Sequence, residues 1–86
     1  MKKQSEAAML VRVFGPGCAR CAETERIVLE AVEESGCNAE VRKVTDFREM
    51  MAAGVLTTPA VAVNDTLLCS GRVPEKEEVL DWLRRA

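Results

Sequence analysis

Histidine is absent from the chain, and that gap removes two kinds of chemistry. A metal centre would have to be built from thiolates or carboxylates, and no imidazole is available to move protons near neutral pH. An excess of charge is also missing. With 12 basic and 14 acidic residues the net charge is -2, which gives no broad attraction for nucleic acid or an anionic membrane surface. Long apolar runs are lacking as well. The start, MKKQSEAAMLVRVF, has two lysines and then an apolar stretch of only about six residues broken by Arg12, short of a secretory leader or a membrane span. The expectation is a cytoplasmic protein with no membrane partner. No internal repeat or low-complexity segment occurs in the 86 residues, a length that holds one small core. The expected organisation is a polar tail over residues 1–8 and a single domain over residues 9–86.

What the chain does have is four cysteines, two of them three positions apart in GPGCARC, residues 15–21. Without an export signal, a reducing compartment argues against static disulfides and leaves catalysis, metal binding or plain burial. Cys18 and Cys21 alone do not choose among these.

Periodicity gives the frame that places them. MLVRVF (Met9 to Phe14) is a β-prone run ended by Gly-Pro-Gly. From Ala19 to Ser35 the charged Glu23, Arg26, Glu30, Glu33 and Glu34 share one helical face and Ile27, Val28, Ala31 and Val32 the other, until Gly36 stops the helix. AEVRKV (Ala39 to Val44) alternates with period two, as an edge strand does. Asp46 with Glu49 three positions on opens a short helix through about Ala53. AVAV (Ala60 to Val63) is apolar on both faces, a buried strand, and Asn64-Asp65 suits a tight turn into TLLCS. Pro74 fits the first turn of a last helix with Glu75, Glu77 and Glu78 at its positive end, Val79, Leu80 and Leu83 inside, and Arg84 and Arg85 at its negative end. The order β-α-β-α-β-β-α implies a parallel first pair of strands, an antiparallel final hairpin and a four-stranded mixed sheet flanked by helices.

In this frame Cys18 stands near the N-cap of the first helix and Cys21 one turn inside. Unpaired N–H groups and the helix dipole favour a thiolate there, and CxxC thiols so placed drop from about 8.5 to between about 3.5 and 7.5. Arg20 adds positive potential. The i, i+3 spacing brings the two Cα atoms to about 5–6 Å, within disulfide range. Cys18 is then the candidate nucleophile and Cys21 the resolving thiol. Forty residues on, Pro59 in VLTTPAV precedes a buried strand, an awkward place for proline that a cis Thr58–Pro59 bond would explain.

CARC after the first strand, TTPAV before the third and SGRVP before the last helix together resemble the thioredoxin-like superfamily, and GPGCARC, VTDFREMMAAGVLTTPAVAVND and SGRVPEKEEVLDWL are similar to its small redox-active disulfide proteins. The resemblance spans about residues 9 to 84. It implies an α/β, minimal thioredoxin fold and a thiol–disulfide oxidoreductase with a dithiol cycle on protein disulfides. Thr58 and Pro59, with Gly17 and Gly71, are then substrate-binding candidates, the backbone of Thr58 pairing with an extended substrate. It further implies a monomer with disulfide-containing protein substrates, a thioredoxin-reductase-like electron donor, no cofactor and no metal. Two departures stand out: Gly17 occupies the place of the tryptophan before the first cysteine, and Arg12 that of the buried acid six positions before it. The central Ala-Arg pair and the absence of Gly-Gly-Asp after the fourth strand favour a dithiol cycle over a glutathione-dependent one.

Other readings come from different classes. Copper carriers also place CxxC after a first strand, but in the order β-α-β-β-α-β, whereas this chain ends in a helix. A redox-switched interaction module without turnover is a third reading, and a zinc site using all four cysteines is disfavoured because Cys37 and Cys69 lack CxxC spacing. Cys37 is expected to be a partly exposed loop thiol and Cys69 a buried small hydrophobe. Phe14 and Phe47 are expected in the core, as are Met9, Met50 and Met51, although Met50 and Met51 could instead face a substrate groove. Trp82 is expected at the core or its rim, and Arg72 beside Gly71 near the cysteines or in a plain turn.

Overall fold

In β1 (Met9–Phe14) successive side chains feed opposite faces of the sheet, and each face has its own core. The structure is a computed structural model that describes residues 9–17 and 19–85. After β1 come α1 (Ala19–Ser35), β2 (Ala39–Val44), α2 (Phe47–Ala52), β3 (Ala60–Val63), β4 (Thr66–Ser70) and α3 (Lys76–Arg85). The strands lie in the order β2-β1-β3-β4, with β1 parallel to β2 and antiparallel to β3, and β3 antiparallel to β4. This is the minimal thioredoxin arrangement, with β2 on the edge that its alternation indicates. Among the described residues no helix is long and apolar enough to cross a membrane.

Val11 and Val13 point to one face, where they meet Val28 and Ala31 of α1 and Val79 and Leu83 of α3. Phe14 points to the other, against Val44, Ala60, Ala62, Val55 and Met50 of α2. All four residues of AVAV are buried, as a strand covered on both faces requires. At its end Asn64 takes a positive φ of 57° and makes the turn into β4; its N–H donates to the Leu10 carbonyl (2.7 Å) and its Oδ1 accepts from the Leu10 N–H (3.0 Å).

Three expectations need correction. Phe47 and Met51 are not core: they are 72% and 63% exposed. Asp46 caps α2 by accepting from the Arg48 N–H, so Phe47 is the first helical residue, and a six-residue helix turns only Met50 inward. The last helix begins at Lys76, not at Pro74. Glu78 reaches back to the Glu75 N–H (3.2 Å), which makes Glu75 the cap and leaves Pro74 buried ahead of the helix. Trp82 packs half-buried against the α1/α3 core.

Candidate active site

Register brings the site together. Phe14 pairs with Ala60 across the β1/β3 ladder, and Ala60 pairs with Ser70 across β3/β4. The chain leaving β1, the chain entering β3 and the chain leaving β4 therefore meet at one end of the sheet. These three segments carry Gly15 to Gly17, Thr57 to Pro59, and Gly71.

Cys18, the candidate nucleophile, lies outside the described residues, as does the segment 1–8. Cys21 sits in the first turn of α1 and is 1% exposed. Its sulfur occupies the space a side chain on Gly15 would fill: a Cβ there would lie 2.2 Å from Cys21 Sγ. Gly15 is itself fixed by its N–H bond to the Val44 carbonyl (3.0 Å). The first turn is also pinned from within, because the fully buried Thr24 donates its hydroxyl to the Arg20 carbonyl (2.9 Å). That turn carries no acidic residue, so nothing in it opposes the positive end of the helix dipole.

The Thr58–Pro59 peptide bond is cis. Pro59 is buried and Thr58 half-buried. The turn after β4 clamps this loop: the Gly71 N–H donates to the Pro59 carbonyl (2.8 Å), and Ser70 Oγ lies 3.0 Å from both the Thr57 carbonyl and Thr57 Oγ1. Gly71 has a φ of +84°, and a Cβ on it would come within 2.7 Å of Thr57 Oγ1. Only glycine fits there without strain. Arg20, exposed on α1, completes the link by donating Nη2 to the Gly71 carbonyl at 3.5 Å. Gly17, also exposed, takes a φ of +99° just ahead of α1. Thr58 further lines a cavity of about 280 Å³ with Pro16, Thr45, Phe47, Met50, Val55 and Leu56.

The remaining singled-out residues lie apart from this cluster or serve the frame. Arg12 turns toward the far hairpin: its guanidinium lies 5.2 Å from the Phe14 ring centroid, with Nη2 at 3.4 Å from the Asn64 carbonyl and 3.7 Å from Asp65. Arg72 forms a two-pronged pair with Glu78 (2.6 and 2.8 Å). The Arg72 hydrogen bonds, helped by the Glu75 N–H, hold the Glu78 carboxyl down at about 2. The Cys69 thiol is buried and donates to the Arg72 carbonyl (3.4 Å); burial pushes its pKa up. Cys37 is half-buried, with Ser35 Oγ donating to its sulfur at 3.1 Å. Sequence reasoning missed Gly15, Thr24 and Thr57, and treated Phe47 as core. The nearest signals were a glycine directly after the last strand residue, and a Thr-Thr pair rather than a single threonine before the proline.

The family described as Thioredoxin domain matches residues 9–84. Among curated proteins, a thioredoxin of Methanocaldococcus jannaschii is 42% identical over 76 residues, covering 88% of this chain and 87% of that protein. A thioredoxin of Methanothermobacter thermautotrophicus is 38% identical over 71 residues, covering 83% of this chain and 92% of that protein.

Proposed function

The chain belongs to the thioredoxin-domain family, and from that membership we propose that it is a thiol–disulfide oxidoreductase acting on protein disulfides through Cys18 and Cys21. The Cys18 thiolate attacks one sulfur of a client disulfide; a mixed disulfide forms and the other client sulfur leaves as a thiolate. Cys21 then attacks the Cys18 sulfur, closes the Cys18–Cys21 disulfide and releases the second client thiolate. The client gains two electrons and two protons, and a dithiol donor resembling thioredoxin reductase returns the chain to its reduced form. The setting is the cytoplasm and the working form a monomer.

One observation carries this reading: the buried Cys21 thiol lies against the bare Gly15, while its neighbour Arg20 reaches through Gly71 to the carbonyl side of Pro59. Burial keeps Cys21 from meeting a client sulfur directly, so it can resolve but not initiate. The half-buried Thr58 offers main chain for an extended client, which adds affinity while reading little sequence. The positive end of α1, reinforced by Arg20, favours a thiolate at the CxxC position.

Insulin reduction with dithiothreitol as electron source tests turnover. The wild type should accelerate precipitation of the B chain, Cys18→Ser should be inactive, and Cys21→Ser should accumulate a mixed disulfide. A Cys18→Ser variant with wild-type rate overturns the assignment, and stoichiometric Cu(I) retention without turnover points to the soft-metal carrier instead.

A further inference from the structure

Two unlike walls stand next to the Thr58–Pro59 loop. On one side Pro16, Phe47 and Leu56 line the cavity that Thr58 shares, and Phe47 and Leu56 are 72% and 92% exposed. The second wall is the Ser70–Gly71 turn, bonded to the same loop at Thr57 and Pro59, with the Arg20 guanidinium on the Gly71 carbonyl. Arg72, in the same turn, is already neutralised by Glu78.

Arg20 is not neutralised. Among the described residues every lysine and arginine has a carboxylate within 4 Å except Arg20, Arg48 and Arg84, and of these three only Arg20 reaches the Gly71 turn. Among the described residues the one hydrogen bond its guanidinium makes is a long one, to a backbone carbonyl. A guanidinium carries five N–H donors, so most of its capacity for a planar carboxylate remains open. In a chain whose net charge is -2, a cation at the Gly71 turn, which is bonded to Pro59, is a local exception that acidic partners can read.

Building on the disulfide-exchange reading above, we infer that the preferred clients are extended segments carrying an apolar side chain for the Phe47–Leu56 wall and an Asp or Glu for Arg20, on either side of the reacting cysteine. Main-chain pairing at Thr58 then holds a client, and the two walls choose it. The apolar wall acts through area removed from water. The cationic wall acts through an exposed charge pair, which gives a two- to five-fold effect on rate or affinity at low salt and less at high salt, in line with such pairs elsewhere.

The test uses the reduced 86-residue chain and synthetic nonapeptides whose single cysteine is capped as a mixed disulfide with 2-nitro-5-thiobenzoate. Peptides carry Leu or Ser on one side of the cysteine and Glu, Gln or Lys on the other. Attack by the protein thiolate breaks the peptide–aryl S–S bond, forms the protein–peptide disulfide and expels the coloured aryl thiolate. The Leu/Glu peptide should react fastest, with a Glu-to-Gln rate ratio of about two to five. Arg20→Gln should bring that ratio to one, and Arg20→Glu should favour Lys. Phe47→Ser with Leu56→Ser should abolish the Leu preference and leave the Glu preference intact. Ratios cancel any change in thiol reactivity that Arg20 variants cause for all peptides alike. Glu, Gln and Lys peptides reacting equally, or a Glu preference that survives in Arg20→Gln, overturns the inference. The uncharged 2-hydroxyethyl disulfide separates the two levels of the argument: inertness toward it sinks disulfide exchange itself, whereas reaction with it and no peptide preference sinks only client selection.

Discussion

On one face of the sheet α1 and α3 lie side by side and bury Val11, Val13, Val28, Val79 and Leu83; on the other the six-residue α2 buries Met50 alone, and Phe47, Met51 and Leu56 stay in solvent. Glu34 of α1 and Lys76 of α3 pair across the closed face. The open face ends in the groove beside Thr58. Apolar side chains that remain exposed gain almost nothing from folding, so stability does not account for Phe47 and Leu56. Lining a cavity with Thr58, they are, in the reading proposed above, surface held ready for a partner. The closed face supplies the cohesion that lets the open one stay bare.

Emptying the cores should have the largest effect. Phe14→Ala on the α2 face should cost about 3–5 kcal/mol and Leu83→Ala on the closed face about 2–5 kcal/mol, against the roughly 3–5 kcal/mol that one core of this size supplies. Urea unfolding should show both variants largely or wholly unfolded. A midpoint within a few tenths molar of wild type for Leu83→Ala would show that the closed face is not what holds the chain together.

Gly15→Ala comes next. Its new Cβ would overlap the Cys21 sulfur, and overpacking of this kind costs about 1–3 kcal/mol. The variant should fold, yet release its client more slowly from the mixed disulfide if the displaced thiol resolves it as proposed. Mass spectrometry of quenched reactions reads that intermediate; wild-type lifetimes would show that Cys21 does not need the clearance.

A smaller effect is expected in acid. The Glu78 pKa is depressed to about 2 by Arg72, so its contribution is fully present above the ordinary carboxylate value of about 4.3 and is lost as pH falls through about 2. The Glu78 side chain is 37% exposed, and solvent screening limits the contribution to below about 1 kcal/mol. Glu78→Gln should therefore lower the melting temperature at pH 7 by a few degrees, with the gap to wild type closing near pH 2. An equal gap at both pH values would assign the effect to helix capping alone.

The smallest change in stability belongs to the open face. Phe47→Ser should move unfolding by no more than about 0.5 kcal/mol, although it removes the largest apolar side chain at the groove. A loss of 2 kcal/mol or more would mean that Phe47 is packed after all and that the two faces are alike.

The same contrast marks where sequence reasoning was strong and where it gave out. Period-two and period-3.6 patterns reported the strands, the helix over Ala19–Ser35, the edge position of β2 and the buried AVAV, because each reflects how many faces an element covers. On α2 the same logic failed, since hydrophobicity says that Phe47 and Met51 prefer burial but not that a six-residue helix has room to bury only one residue. The proline rule for first helical turns lost at Pro74 to the side chain of Glu78, which caps at Glu75. At the site, Thr58, Pro59 and Gly71 were legible as a motif. The clearance at Gly15 and the clamp of Thr57 by Ser70 were not, because they join residues that meet only through strand register.

The central claim is that Cys18 and Cys21 form a reversible couple. Equilibrating the 86-residue chain in a series of thiol–disulfide buffers, quenching with acid and mapping peptides by mass spectrometry tests it directly. The account predicts a single Cys18–Cys21 disulfide that forms and breaks with a midpoint between about -270 and -120 mV, the span of redox-active dithiols, with Cys37 and Cys69 still thiols. Cys18 and Cys21 remaining reduced throughout that span, or pairing instead with Cys37 or Cys69, would contradict it.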